Sequence, residues 1–530
     1  MLLKISPILK LILCFFIGHS YGANILGIIP SASFSHQLAY MKLWQELSLK
    51  GHHVTVLTTD PQRNASLVNL TEIDLSIGYQ FIKEKYNWSK IIIDQTNPFT
   101  FLKQMLHMMY EATDLYLGLP EVRDLIHDRN KRFDLVMVEG IFPEWLIFGE
   151  IFNAPTVSLM SLEGTVQVHR MFQNPTNPVV YPEVYIPFVG QLNFKERLIS
   201  TLLSWIFDYI KSQYTLRRQG VIDKHFGNMS VSIESLTSKP SLLFLCVNPI
   251  LLIPRPYSPR TIVVGGMTIQ DPNKLPQDVQ EFLDSAKNGA ILFSLGSNVK
   301  CEDLGEETVT SFLEVLSQLP YKVMWKFNNR ENRIIPHNVK IYDWLFQQDI
   351  LRHPNVKLFI NQGGVQSLEE AIFFSVPLVG IPVYADQESN VKRLQLKGVL
   401  KRVSIKPRLD PKEFKNAILE VMSNQTYVDN MKRLNELWMD QPMNGIDKAI
   451  WWTEYVIRHK GEVDHMINKA EINTPFYQFY LLDIFGLIFI LCFTLLSLTV
   501  FLCIRFLRCS FRIAAYLRQE HGQLQLTEKT

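Results

Sequence analysis

Short apolar runs alternate with amphipathic stretches up to about residue 445, and one long apolar run follows near the end of the chain. Residues 25–29 form the first run, 36–49 carry a helical pattern and 54–59 are rich in β-branched residues, which together predict a βαβ unit. Residues 133–138 and 156–159 predict further strands of the same half, and the turn-rich aromatic stretch 175–187 predicts an insertion. A second alternation runs through 290–294, 322–325, 357–360 and 377–381, with a helical stretch at 365–374. Runs this short and this apolar fit parallel strands covered on both faces, so the pattern predicts two α/β halves, 23–247 and 286–445. Six prolines between 248 and 276, with Gly265 and Gly266, predict that 248–285 is a connection instead of a packed element.

Two further runs set the expected topology. Lys4 and Lys10 precede the apolar run 11–18, and Ser20 and Gly22 supply small residues after it, so 1–22 reads as a cleavable secretory signal peptide. Residues 484–504 carry no charge and, as a helix, match a hydrocarbon core of about 30 Å. Arg505, Arg508, Arg512 and Arg518 follow, so the positive-inside rule places the tail 505–530 in the cytosol and everything before the span in the lumen. The expected location is the membrane of the endoplasmic reticulum or secretory pathway. Sequons at Asn64, Asn69, Asn87, Asn228 and Asn424 lie on that lumenal side. Between the second half and the span, 446–483 holds a helical stretch, 446–458, expected to cross back and pack on the first half through Trp451, Trp452 and Tyr455.

Charge and cysteine usage narrow the classes. With 53 Lys and Arg against 51 Asp and Glu, the net charge of +2 offers no field for polyanions and argues against nucleic acid. Of six cysteines, Cys14, Cys492, Cys503 and Cys509 fall in or beside the apolar segments; Cys246 and Cys301 remain, either as a pair or as free core thiols. No Gly-x-Gly-x-x-Gly follows the first strand, which argues against a dinucleotide-dependent oxidoreductase.

The densest chemistry lies between Trp344 and Gln387. A strand ending at Asn361 leads into Gln362-Gly363-Gly364 and a helix, an arrangement that can present backbone N–H groups to a phosphate and equally can be a tight turn. Asp386-Gln387 after the next strand suits sugar hydroxyls. Leu102, Met105, Met108, Met109 and Tyr110 predict an apolar helix face whose expected role is core packing beside a pocket.

Trp344, Gln347, His353-Pro354, Gly363-Gly364, Glu370 and Asp386-Gln387, at these spacings, resemble the donor motif of the UDP-glycosyltransferases in their membrane-bound animal form, with arthropod-like features. The resemblance covers nearly the whole chain. It implies a GT-B fold, with an acceptor-binding first half and a UDP-sugar-binding second half. It further implies that Trp344 stacks on uracil, Gln347 holds the uridine, Glu370 accepts from the ribose, and Asp386 and Gln387 hold the transferred sugar. Ser294, Ser297 and Arg255 resemble positions near the diphosphate, where Gln362, Gly363, Gly364, Gln366 and Ser367 also belong. His36 resembles the family's catalytic base and Glu139 the carboxylate that orients it. A neutral imidazole suits removal of an acceptor proton near neutral pH.

Four positions depart from the commonest family pattern: Gln362 stands for a histidine, Gln366 for an asparagine, Glu139 for an aspartate and Phe346 for a proline. The lack of any Asp-x-Asp triplet implies that no metal clamps the diphosphate. The expectation is therefore an inverting, metal-independent transferase without a cofactor, using UDP-glucose, or alternatively UDP-glucuronic acid, on a small lipophilic acceptor as in detoxification. A non-catalytic membrane glycoprotein that binds lipophilic ligands or pairs with active relatives is the remaining alternative, and homo- or hetero-oligomers stay open.

Overall fold

The computed structural model describes residues 22–86, 91, 98–227, 229–299, 301–328 and 333–527. Most of the expected signal peptide, and the sequons at Asn87 and Asn228, lie outside the described residues. The apolar runs pair side by side because a strand buried on both faces needs neighbours for its backbone and helices for its side chains. Strands β1 (Asn24–Ile29), β2 (His53–Thr58), β3 (Leu70–Asp74), β4 (Leu135–Glu139), β5 (Thr156–Met160), β6 (Leu242–Leu245) and β7 (Thr261–Val263) form one parallel sheet, ordered β3-β2-β1-β4-β5-β6-β7. Every position of β4 and β5 is buried, whereas β3, at the edge, has no buried position.

Here the reading of 248–285 as an unpacked connection is corrected. β7 lies inside it and pairs with β6, and a helix, Gln277–Asp284, buries Val279 and Leu283. Three residues are too few to show a period, and the prolines around them hid the strand.

The second sheet holds β8 (Ala290–Ser294), β9 (Lys322–Lys326), β10 (Val339–Tyr342), β11 (Val356–Asn361), β12 (Leu378–Gly380) and β13 (Leu400–Arg402), ordered β10-β9-β8-β11-β12-β13 and again parallel. Its core contains an aromatic stack: Phe293 lies on Trp325 at 4.9 Å and meets Phe312 edge-on at 5.1 Å. Burying each such ring contributes roughly 2–3 kcal/mol. Both sheets reverse their strand order once, between β1 and β4 and between β8 and β11. Loops leaving the strands at such a point diverge and open a crevice.

Polar contacts join the two sheets. The Glu163 carboxylate, from the first, accepts from Arg255 at 3.2 Å and from Arg393 of the second at 2.5 Å. Gln366 donates to the Ser161 carbonyl at 2.8 Å, and Asn298 to the Ser33 hydroxyl at 2.9 Å. The helix Gly445–Arg458 then returns to the first sheet and packs against the helix Phe34–Leu49, with Glu454 facing Lys50 and His52. Its buried face is Ala449, Ile450, Thr453 and Val456; Trp451, expected to pack, is 43 % exposed.

Residues 467–530 form a separate unit. Its main element is the helix Leu482–Thr527, of which Leu482–Gln519 is long and apolar enough to cross a membrane.

Candidate active site

Neighbouring strands bring the first pair together. Ile28 of β1 lies beside Val138 of β4, so the loop after β1, which opens the Phe34–Leu49 helix, meets the end of β4 at Glu139. His36 Nδ1 sits 2.5 Å from Glu139 Oε1, and the Ser31 hydroxyl donates to Oε2 at 2.6 Å. Glu139 is buried and thus fixed from two sides, which accommodates the extra methylene of a glutamate at this position. Burial by itself would lower the His36 pKa, but the charge and hydrogen bond of Glu139, with a smaller contribution from Asp386, hold it above the ordinary histidine value. With Nδ1 engaged, Nε2 is the ring nitrogen left to take a proton.

The second sheet supplies the other wall. β11 ends at Asn361, and the Gln362-Gly363-Gly364 turn starts the helix Val365–Phe373. Gly363 has φ +88°, and a Cβ there would stand 2.6 Å from a Val391 methyl, so the turn needs glycine. Glu370, on the helix, accepts from Gln347 at 2.5 Å and from Gln348 at 2.8 Å, while Gln347 also donates to Ser367 at 3.0 Å. Burial pushes the Glu370 carboxyl up to about 7 despite those two amides. Asp386 accepts from Asn390 at 2.8 Å; burial raises its pKa, opposed by Asn390, Arg393 and His36. Gln387 turns its oxygen back to the backbone N–H groups of Val383 and Tyr384 at 2.9 and 3.0 Å.

Two cavities result. One of about 270 Å³ is lined by Ser294, Ser297, Trp344, Gln347, Ser367 and Glu370. The other, of about 710 Å³, is lined by His36, Asp386 and Gln387 on one side and by the apolar face of the helix Pro98–Leu117 on the other. Ser297, Gln362, Gly364 and Gln366 line both, so the cavities meet at the glycine turn. Such an arrangement sets a smaller cavity with a hydrogen-bonded amide and carboxylate network next to a roomier one that holds the His36 imidazole and an apolar helix face.

Not every expected residue is where the sequence placed it. Arg255 lines neither cavity: its guanidinium is buried against Glu163, donates to the Pro175 carbonyl at 3.2 Å and lies over the Tyr181 ring at 4.6 Å. An arginine between prolines reads the same whether it faces ligand or a buried glutamate. Met105, Met108 and Met109 pack in or against the core as expected, and they line the large cavity as well. Gly363 shapes the turn and is absent from either lining, and Cys246 and Cys301 are buried and form no disulfide with each other. The sequence reading missed Ser31, Gln348 and Asn390, whose signal was only their place beside motif residues. It also missed Lys326, whose ammonium lies 4.2 Å above the Trp344 ring. Of the sequons, Asn64 and Asn424 are exposed, while the Asn69 amide donates to the Ser48 carbonyl at 3.2 Å.

Comparison with known proteins agrees with this geometry. A family model described as UDP-glucoronosyl and UDP-glucosyl transferase matches residues 24–519. UDP-glucosyltransferase 2 of Dactylopius coccus is 33 % identical over 88 % of this chain and 89 % of that protein. UDP-glucuronosyltransferase 2B15 of Homo sapiens is 27 % identical over 89 % and 90 %. Among solved structures, the glycosyltransferase VinC in complex with dTDP superimposes with a TM-score of 0.56 at 16 % identity, covering 82 % of this chain and all of that one. CalG4, the calicheamicin glycosyltransferase, gives 0.55 at 15 %, covering 82 % and 99 %. These likenesses establish the GT-B fold. Taken with the family match over nearly its whole length, they mean that the chain belongs to the UDP-glucuronosyl and UDP-glucosyl transferase family and is a UDP-glycosyltransferase.

Proposed function

We propose that the protein transfers a hexose, glucose in preference to glucuronic acid, from its UDP-sugar to the hydroxyl of a small lipophilic acceptor, with inversion and without a metal or cofactor. The observation that carries this reading is His36, held from behind by the buried Glu139, in the same cavity as Asp386 and Gln387. UDP lies in the smaller cavity, its base on Trp344, its ribose on Glu370 and its diphosphate near Ser294, Ser297 and the glycine turn. The sugar reaches into the larger cavity beside Asp386 and Gln387, and the acceptor lies along Met105, Met108 and Met109.

The acceptor oxygen attacks the anomeric carbon on the face opposite UDP, and its proton passes to His36 Nε2. The bond from that carbon to the diphosphate oxygen breaks, and its electron pair leaves with UDP. Glu139 stabilises the imidazolium that forms, as an orienting carboxylate does in a hydrolase triad. Donors around the glycine turn take up the charge on the leaving group. The two cavities face the lumen of the endoplasmic reticulum or secretory pathway, the apolar helix spans its membrane and the basic tail is cytosolic. A role in conjugating lipophilic compounds follows from the apolar chamber.

The test is sugar transfer by membranes expressing the protein, with UDP-glucose or UDP-glucuronic acid, a panel of phenols, and EDTA present, beside His36→Ala. Transfer from UDP-glucose that disappears in the variant supports the reading. Transfer that survives in His36→Ala would mean another base, and a requirement for added metal would refute the metal-free mechanism.

A further inference from the structure

Removing Arg255 from the site leaves a question of charge, because a nucleoside diphosphate brings negative charge into a cavity where Gln362 supplies none. The acids on the wall of the small cavity, Asp349 and Glu370, are held by Arg352 and by the two amides of Gln347 and Gln348. Among the described residues, Lys326 is the one cation on that wall.

Strand geometry places it there. β9 ends at Lys326, and its neighbour Trp325 is buried in the aromatic stack, so alternation turns Lys326 to the opposite side. The strand stops beside the end of β8, where the turn holding Ser294, Gly296 and Ser297 begins. The Lys326 ammonium donates to the Gly296 carbonyl at 3.1 Å and stands 4.2 Å above the Trp344 ring. It thus bridges the Gly296 turn and the tryptophan, on the same cavity wall as Ser294 and Ser297. No carboxylate among the described residues pairs with it. Burial lowers its pKa, offset in part only by Cys301. A partly desolvated cation held by a carbonyl and a ring face is costly unless something brings an anion to it.

Resting on the donor reading above, we propose that Lys326 pairs with the diphosphate of the UDP-sugar and carries the positive charge that Arg255 and Gln362 do not supply. The pairing acts on the donor in the ground state and on the leaving UDP alike.

The experiment measures inhibition of the full-length enzyme by UDP and by uridine for wild type, Lys326→Met, Lys326→Gln and Lys326→Arg. Lys326→Met and Lys326→Gln are expected to weaken UDP at least tenfold while changing uridine less than twofold, and Lys326→Arg to restore most of the UDP affinity. Equal weakening of UDP and uridine would overturn the assignment, since the side chain would then serve the nucleoside. Unchanged UDP affinity in the neutral variants would overturn it too, leaving Lys326 as packing on Trp344. Wild-type enzyme that neither binds UDP nor transfers sugar would refute the donor reading itself, a result distinct from wild-type binding that the variants leave intact.

Discussion

The two cavities that meet at the glycine turn are built in opposite ways. The smaller, about 270 Å³, holds a preset network in which Gln347 and Gln348 donate to Glu370 and Gln347 also to Ser367, so its side chains hydrogen-bond one another before any ligand arrives. The larger, about 710 Å³, draws its apolar wall from the helix Pro98–Leu117 and from segments far apart in the chain. That helix contributes Met105, Met108 and Met109 to the wall, and their unbranched side chains adapt to differing shapes. A ligand of fixed structure can be held by a preset network, whereas a set of related ligands is better served by a soft wall. The contrast therefore predicts that substitutions on one side act on donor kinetics and on the other side act on acceptor choice.

The sharpest attempt to break this division is at the seam, where the chemistry is common to both sides. His36→Ala should lower kcat roughly 10³-fold with every acceptor, while UDP inhibition stays as in wild type. Glu139→Gln should lower kcat roughly 10²-fold and also move the pH profile. The base acts when neutral, so activity falls on the acid side as His36 takes up a proton. Glu139 is the main influence raising that pKa against burial, so its loss should shift the acid limb to lower pH. A limb that stays in place, or moves up, would mean that the pair does not control the base.

Trp344→Ala should raise the KM for the UDP-sugar roughly tenfold and leave the acceptor KM unchanged, because the side chain is half-exposed and lines the smaller cavity. The smallest effect expected is that of Met109→Ala, about threefold to tenfold on acceptor KM and different for bulky and slim phenols, with donor KM constant. Met109→Ala acting on donor KM, or Trp344→Ala on acceptor KM, would show that the cavities are not functionally separate.

The same contrast governs what could be read from the chain. Trp344, Gln347, Glu370 and Asp386 stand at fixed offsets because one strand–turn–helix unit and its neighbours carry them, so their spacing survives as a pattern. His36 and Glu139 are 103 residues apart, yet each follows a strand that an apolar run announces, and adjacency of β1 and β4 does the rest. Lys326 left no such trace: a lysine ending a strand is usually solvated, and only the pairing of β8 with β9 and the position of Trp344 turn it toward the cavity. Arg255 failed for the converse reason, since its partners Glu163 and Tyr181 come from distant loops. β7 and β13, with three residues each, are too short for any period to appear.

The return of the Gly445–Arg458 helix to the first sheet bears on how members of this family can be recombined. The second sheet is in effect an insert, entered after β7 and left before that helix. A chimera made with a single junction between the sheets would set a foreign helix against Phe34–Leu49 and mismatch Glu454 with Lys50 and His52. Exchanging donor specificity between relatives therefore calls for two junctions, one near residue 265 and one near residue 445, so that the returning helix stays with the half it closes.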